Sequence, residues 1–332
     1  MPGRVAVEVA ETCDNRCLFC CREGLDDDDD DDEPGPLVGR LAAAREIADE
    51  VTLVGGEPTL LGDGLVDAVA SARALGFRRV GLQSHGRHLA DATPAGPLAR
   101  LVDAGLTDVQ LSIHGDGAAV HDHHVGVAGA WDRVMQALAA LRGRSVQVAV
   151  VTVLTRSNFR NLQRLPEWLR ARGVDAWALV VPRVSGGGRW RFEQVIPRLG
   201  MAIPHALRAV DAGRRRRLPS WIVGAPQCLL GPYRRWSLAE PEPRGYAPGC
   251  RGCPAQASCA GIDPIYLARF AGAELSASRL AVLPSQARGA PEEAALRRLF
   301  VGTGRLASGG RALATIIAPP RSGAARQRSA ER

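Results

Sequence analysis

The chain has 332 residues, of which 46% are hydrophobic, 23% charged and 5% aromatic, and this balance excludes wholesale disorder, collagen, a coiled coil and a small disulfide scaffold. Its 42 basic residues are all arginine and exceed the 35 acidic residues by seven, so chemistry that depends on lysine is excluded. No apolar run reaches the roughly 18–20 residues of a membrane span, and no secretory signal is evident, so we expect a cytoplasmic protein with no membrane partner.

Short β-branched runs alternate with longer helical stretches from residue 4 to about residue 182. The predicted strands are Arg4–Val9, Val51–Val54, Arg79–Gln83, Asp108–Ile113, Val146–Leu154 and Ala176–Val181. The predicted helices between them are Val38–Asp49, Leu65–Leu75, Pro97–Ala104, Ala130–Leu141 and Phe159–Arg172. Six strand-then-helix units predict an α/β fold with a parallel sheet, and they fit an open, partial (β/α)6 barrel better than a closed barrel of eight units.

The alternation breaks after Pro182, so we divide the chain into five segments. They are a barrel core over 1–185, a linker and helix over 186–218, a small Cys-rich extension over 219–285, a helical segment over 286–318, and a basic disordered tail over 319–332. Gly186–Gly188 is expected to be a flexible junction. The runs Asp26–Asp32 and Arg214–Arg217 are expected to be solvated, because like charges repel one another.

The eight cysteines are clustered rather than scattered along the chain. Cys13, Cys17 and Cys20 have the spacing C-x3-C-x2-C directly after the first predicted strand, at the end of the barrel where such folds place their chemistry. In a cytosolic chain such clusters favour metal or redox chemistry over disulfides. Three thiolates in one short loop can hold three irons of a [4Fe–4S] cluster and leave the fourth iron open.

This cysteine spacing, with Phe19 before the last cysteine and Gly55-Gly56-Glu57-Pro58 after the second strand, resembles the radical S-adenosylmethionine (radical SAM) enzymes. The resemblance covers residues 4–182. It implies that Cys13, Cys17 and Cys20 hold a catalytic [4Fe–4S] cluster whose open iron binds S-adenosylmethionine. It further implies a set of cofactor-binding residues at the strand ends, namely Phe19, Gly55, Gly56, Glu57, Pro58, Ser84, Ser112, His114, Arg156 and Val181. A structural zinc site at Cys13, Cys17, Cys20 and Cys21 is the alternative, but zinc does not explain the Gly-Gly-Glu-Pro sequence.

The second cluster has the spacing C-x2-C-x5-C at Cys250, Cys253 and Cys259, with Cys228 upstream. It is similar to the auxiliary-cluster extensions of radical SAM enzymes, known as SPASM and twitch domains. No cysteine follows Cys259, so the count favours one auxiliary [4Fe–4S] cluster held by these four residues. A zinc knuckle is the alternative. Cys21 belongs to neither cluster and is interpreted as a small buried residue or a bystander.

The histidines after the fourth strand and the arginine run are not expected to form binding sites. His121, His123 and His124 are expected to lie in a solvated loop after the fourth strand, without a metal. The arginine run carries no interleaved aromatic residues, so it lacks the stacking surface of a nucleic-acid site, and we expect no specific nucleic-acid partner.

The resemblance implies reductive cleavage of S-adenosylmethionine to a 5′-deoxyadenosyl radical, which abstracts hydrogen from a substrate, with a flavodoxin- or ferredoxin-like protein as electron donor. The leading hypothesis for the substrate is a peptide or protein side chain, which would make the chain a peptide-modifying maturase. The first alternative is a small molecule or cofactor precursor. A more remote alternative is a non-enzymatic protein that binds zinc and nucleic acid.

Overall fold

The computed structural model describes residues 3–22, 36–91, 93, 95–238, 245–256, 259, 261–275 and 291–300. Its strands form one eight-stranded sheet in sequential order, and every neighbouring pair is parallel. The strands are β1 Arg4–Ala10, β2 Glu50–Gly55, β3 Arg79–Ser84, β4 Asp108–Ser112, β5 Gln147–Val153, β6 Ala176–Val180, β7 Ser220–Val223 and β8 Ser237–Leu238. Within the described residues β1 and β8 are unjoined edges, so the predicted α/β partial barrel is confirmed.

The sheet has two strands more than the six that were predicted. The strands β7 and β8 have only four and two residues, and they lie in the part of the chain rich in proline, glycine and cysteine. A strand this short carries almost no alternation, which explains why the sequence pattern did not reveal either one. Both pair in parallel register with the sheet, β7 with β6 and β8 with β7.

Helices connect the strands. They are α1 Leu37–Ile47, α2 Asp63–Ala74, α3 Pro97–Asp103, α4 Ala118–Val125, α5 Ala130–Leu141, α6 Leu165–Ala171, α7 Gly186–Trp190, α8 Phe192–Val195, α9 Leu199–Arg215, α10 Pro264–Phe270 and α11 Pro291–Arg298. Helix α6 is shorter than the predicted Phe159–Arg172, because a 3-10 turn precedes it and Pro166 sits in its first turn. No helix among the described residues is long and apolar enough to cross a membrane.

One sequence expectation was wrong in this region and another holds in part. The glycine run at residues 186–188, expected to be a flexible junction, is part of α7, and a Cβ on Gly188 would be 2.4 Å from the Arg183 carbonyl oxygen. In the run Arg214–Arg217 the last three arginines are exposed as expected, but Arg214 is not. Arg214 lies in the last turn of α9, where its guanidinium is 4.7 Å from the Trp236 ring centroid and donates to Glu293 at 2.7 Å. The run Asp26–Asp32 and the basic tail 319–332 lie outside the described residues.

The alternation of the strands divides the core between two faces of the sheet. On the outer face, residues such as Val150 and Leu179 pack against the helices. On the inner face, a second cluster contains Val151, Ala178 and Trp221 together with Leu299 and Phe300 from the end of the described chain. Leu299 and Phe300, directly after α11, therefore pack inside the half-barrel rather than on its helical surface.

A buried charge network lies at the N-terminal ends of the strands. Arg4 binds Asp108 in a bidentate pair with distances of 2.6 and 2.7 Å, and its Nε donates to Glu50 at 3.2 Å. Arg298 of α11 reaches the same Glu50 carboxylate at 3.3 Å. Since the side chains of Arg4 and Glu50 are at most 1% exposed, each charge depends on its partners for solvation.

Candidate functional site

The cysteine loop, residues 11–22, leaves the C-terminal end of β1. It carries Cys13, Cys17 and Cys20 as free thiols, the first exposed and the other two partly buried. Burial, and to a smaller extent the neighbouring Cys20 and Cys13 thiolates, raise the pKa of the Cys17 thiol to about 12. Burial likewise raises the pKa of Cys13, with a smaller contribution from Cys20. Three sulfurs that repel one another as thiolates form a donor set that fits a cationic iron–sulfur cluster.

The end of β2 fixes this loop through close backbone contact. The Gly56 N–H donates to the Ala10 carbonyl and the Glu57 N–H to the Thr12 carbonyl, each at 2.7 Å. A Cβ on Gly55 would lie 2.0 Å from the Ala10 oxygen, and one on Gly56 would lie 2.1 Å from the Thr12 oxygen. Only glycine therefore fits at these two positions, because the backbone of the cysteine loop approaches them closely.

The Glu57 side chain is 1% exposed and accepts hydrogen bonds from four donors. Its Oε1 accepts from the Thr59 backbone N–H, the Thr59 hydroxyl and the Ser84 hydroxyl, the last at 2.7 Å. Its Oε2 accepts from the His85 N–H at 2.8 Å. The carboxylate thus ties the end of β3 to the turn after β2, and the pairing with a cofactor ammonium stays a prediction.

Asp14 connects the cysteine loop to the residues after β3. Its carboxylate lies 2.8 Å from His85 Nε2, 2.9 Å from His88 Nε2 and 2.9 Å from the Arg87 guanidinium. Burial would raise the pKa of Asp14, but these hydrogen bonds and the Arg87 charge hold it below its usual range. Sequence reasoning missed Asp14, although Ser84 at the end of β3 was among the predicted cofactor-binding residues.

The remaining predicted cofactor residues differ in how the structure places them relative to the cysteine loop. Phe19 lies edge-on to His114 with 4.7 Å between ring centroids, and His114 is 2% exposed. Ser112 ends β4, and Val181 is buried directly after β6. Arg156 instead donates to the Glu193 carbonyl and lies 3.6 Å from the Glu193 carboxylate, so the structure does not bring its guanidinium to the cysteine loop. The cofactor roles of these residues stay predictions.

Two sequence interpretations of histidine and cysteine were wrong. His121 and His124 are not in a solvated loop but in helix α4, where they are 1% and 0% exposed. The spacing of three residues between them, which places both on one helix face, is the signal that could have shown this. Cys21 has an exposed side chain, so its interpretation as a small buried residue is wrong and its interpretation as a bystander stays a prediction.

The second group of cysteines converges on one pocket of about 380 Å³, lined by Cys228, Cys250, Cys253 and Cys259. The Cys259 sulfur accepts backbone N–H groups from Gln227 at 3.5 Å and Gly261 at 3.4 Å. Such N–H···S bonds stabilise a thiolate and are found around iron–sulfur clusters. Four sulfurs around one pocket form a complete donor set for a tetrahedral metal site or for a cluster.

Residues 7–169 match the family model of the Radical SAM superfamily. The chain is 26% identical over 200 residues to the AdoMet-dependent heme synthase of Nitratidesulfovibrio vulgaris, covering 58% of this chain and 51% of that protein. It is 27% identical over 254 residues to the PqqA peptide cyclase of Rhodopseudomonas palustris, covering 71% of this chain and 63% of that protein. The structure of Streptococcus suis SuiB bound to precursor peptide SuiA has a similar fold, with a TM-score of 0.50, 14% identity, and coverage of 67% of this chain and 48% of that one.

The chain thus spans about half the length of the heme synthase it matches. The likeness to SuiB is at the level of the fold, because so low an identity does not carry function. The family match spans β1 to α6, which includes the cysteine loop, the glycine pair and the buried Glu57. The family implies a [4Fe–4S] cluster and S-adenosylmethionine, and residues 7–169 form a domain of the Radical SAM superfamily of enzymes.

Proposed function

We propose that Cys13, Cys17 and Cys20 hold a [4Fe–4S] cluster and that the chain uses it, with S-adenosylmethionine, to abstract hydrogen from a peptide. The observation that carries the proposal is that three free thiols, close enough to repel one another as thiolates, share a loop fixed by Gly55 and Gly56. When bound, the cluster supplies the electron that cleaves S-adenosylmethionine to methionine and a 5′-deoxyadenosyl radical. A flavodoxin- or ferredoxin-like protein is the proposed source of that electron.

The chain's own residues orient the reactants and limit the access of water. The bonds from the end of β2 fix the loop from one side, and Asp14 fixes it from the side of β3. Phe19 covers the buried His114 and so places an apolar ring beside the proposed ligand Cys20. Ser112 and Val181, at the ends of β4 and β6, are proposed to contact S-adenosylmethionine from the far side of the half-barrel.

We further propose that Cys228, Cys250, Cys253 and Cys259 hold one auxiliary [4Fe–4S] cluster. Support comes from their shared pocket and from the two backbone N–H groups directed at the Cys259 sulfur. Four protein ligands would saturate the coordination of this cluster. It would therefore accept or donate electrons rather than bind a substrate.

A peptide substrate is supported by the names of two similar proteins, a PqqA peptide cyclase and a SuiB bound to its precursor peptide. A small-molecule substrate is the second candidate, and the similarity to an AdoMet-dependent heme synthase favours it. Co-expression with a short open reading frame adjacent to the gene, followed by mass spectrometry of the peptide, separates the two. A mass change that depends on Cys13 supports the peptide, and an unmodified peptide favours the small molecule.

The test of the chemistry is the iron, sulfide and zinc content of protein reconstituted without oxygen. We expect about eight iron and eight sulfide per chain, the content of two cubane clusters. The variants C13A, C17A and C20A should each fall to about four iron and produce no 5′-deoxyadenosine from S-adenosylmethionine and dithionite. The matched control C21A should keep both properties, because Cys21 belongs to neither proposed ligand set. Zinc without iron in the wild type would refute the proposal.

A further inference from the structure

Helix α4 binds the cysteine loop through the last carbonyls of the helix. The Arg16 N–H donates to the Val125 carbonyl and the Leu18 N–H to the His124 carbonyl, each at 2.9 Å. Gly126 ends the helix with a φ of +67°, and a Cβ there would lie 2.6 Å from the Arg16 carbonyl oxygen. The backbone on both sides of Cys17 therefore rests on the C-terminal end of α4.

Three buried imidazoles lie beneath this contact. His114, His121 and His124 are 2%, 1% and 0% exposed. The rings of His114 and His121 are stacked with 5.8 Å between centroids and 9° between planes. Phe19 of the cysteine loop lies above them, 4.7 Å from His114 and 6.1 Å from His124. The histidines thus connect α4 and the end of β4 to the loop that carries the thiols.

The hydrogen bonds define the protonation state of two of the rings. His121 Nδ1 accepts from the His114 backbone N–H at 3.3 Å. His114 Nδ1 accepts from the Val153 backbone N–H, also at 3.3 Å. His114 and His121 are therefore neutral, since each uses Nδ1 as an acceptor. His124 Nδ1 is 2.6 Å from the Val120 carbonyl, which can only accept, so Nδ1 carries a proton, and Nε2 shares a hydrogen bond with the Thr155 hydroxyl at 2.7 Å.

Burial also favours the neutral form of the three imidazoles. It lowers the pKa of His114, His121 and His124, and that of His121 falls to about 4. The titratable groups that face the three rings are Asp122 and His123 of α4 and His85 after β3. A proton added at Nδ1 of His114 or His121 would face a backbone N–H, with no acceptor for it at that position.

We propose that His114, His121 and His124 are positioning residues that hold the cysteine loop against the C-terminal end of α4. His114 and His121 do so as neutral acceptors, and His114 and His124 as the surface on which Phe19 packs, without being ligands. This inference rests on the proposed function of the loop as the cluster-binding segment. It adds the requirement that the loop keeps its shape only while an acceptor stands at the Nδ1 position of His121.

The test compares three variants of the full-length protein. H121N keeps an acceptor, because the Asn side-chain oxygen replaces Nδ1. H121L keeps a side chain of similar volume but has no hydrogen-bond acceptor. H123L is the matched control, since His123 is on the same helix but exposed. The first readout is hydrogen exchange of the Arg16 and Leu18 amides in the metal-free protein. The second is iron per chain and the electron paramagnetic resonance spectrum of the reduced cluster, with and without S-adenosylmethionine.

We expect H121L to accelerate exchange of both amides by about tenfold, the factor for loss of one hydrogen bond of ordinary strength. It should also lower the iron content and change the spectrum. H121N should restore both readouts, and H123L should match the wild type. Equal damage from H121N and H121L, or no difference between H121L and H123L, would overturn the proposal.

A second measurement does not depend on the folding of H121L. In the wild type, protection of the Arg16 and Leu18 amides, corrected for the intrinsic exchange rate, should fall as the pH is lowered from 7.5 to 5, and less so in H121N. A pH-independent protection in both proteins would overturn the proposal. If the wild type binds no iron, the proposed function fails, while the exchange data still decide whether the histidines hold the loop.

Discussion

Replacement of Glu57 by glutamine tests whether this carboxylate organises the site. The carboxylate accepts from four donors with both oxygens, and glutamine can place an acceptor at only one of the two positions. In the more favourable orientation the amide nitrogen faces the buried His85 N–H, so one hydrogen bond to a charged acceptor is lost and two donors oppose each other. The lost bond costs about 1.5–3 kcal/mol and the unsatisfied donor a further 1–3 kcal/mol, while relief of charge burial offsets part of this. We therefore expect a net loss of about 2–4 kcal/mol in the free energy of unfolding.

The assay is urea unfolding of the metal-free protein under reducing, anaerobic conditions, which separates the structural effect from cofactor binding. The matched control is E11Q, because Glu11 is an exposed carboxylate on the same loop and should change stability by less than about 0.5 kcal/mol. A loss for E57Q no larger than that for E11Q would refute the reasoning. The carboxylate would then have to act on the cofactor alone.

Three further changes have defined outcomes in the same unfolding assay. D108N should cost about 3–5 kcal/mol, because it leaves the buried Arg4 guanidinium without its bidentate carboxylate; a loss below 1 kcal/mol would contradict that role. F300A should cost about 3–5 kcal/mol, because the ring is 1% exposed and packs on Trp221 at 5.6 Å between centroids; an unchanged stability would show that the inner-face packing is absent in solution. The folded-state pKa of His121 is about 4, below its value of about 6.5 in the unfolded chain, so the unfolded chain binds more protons between these values. The contribution of neutral His121 to the free energy of unfolding is therefore complete above pH 6.5 and falls by up to about 3 kcal/mol as the pH approaches 4. H121N should flatten this pH dependence. Equal slopes of unfolding free energy against pH in the wild type and H121N would contradict the prediction.

The features that depend on local sequence pattern could be predicted from the sequence alone. Six strands were found because β-branched runs alternate with helical stretches. The close approach of Gly55 and Gly56 followed from the residue type, since only glycine leaves room for a backbone oxygen at 2.0–2.1 Å. The cysteine triplet was informative because short spacing guarantees that the thiols are near one another in any fold.

The features that the sequence did not reveal depend on contacts between distant segments. Nothing near Arg214 indicates that it meets Trp236 and Glu293, so its charged run suggested a solvated loop. The burial of His121 and His124 depends on Thr155 and on the cysteine loop, which lie on other elements. The resemblance assigned the carboxylate of Glu57 to cofactor binding. Its four hydrogen-bond donors were not predicted, because they come from the turn after β2 and from the end of β3.

The packing of α11, Leu299 and Phe300 against the inner face of the sheet has a consequence for the time course of synthesis. The contacts of Glu50 with Arg298 and of Gln110 with Leu299 join residues that are 248 and 189 positions apart. A ribosome that adds roughly 5–20 residues per second needs about 10–50 seconds to make that intervening chain. Throughout this interval the nascent sheet exposes an apolar and partly charged interior that its own C-terminal part has yet to cover. The earliest strands therefore complete their packing only when nearly all of the described chain has left the ribosome.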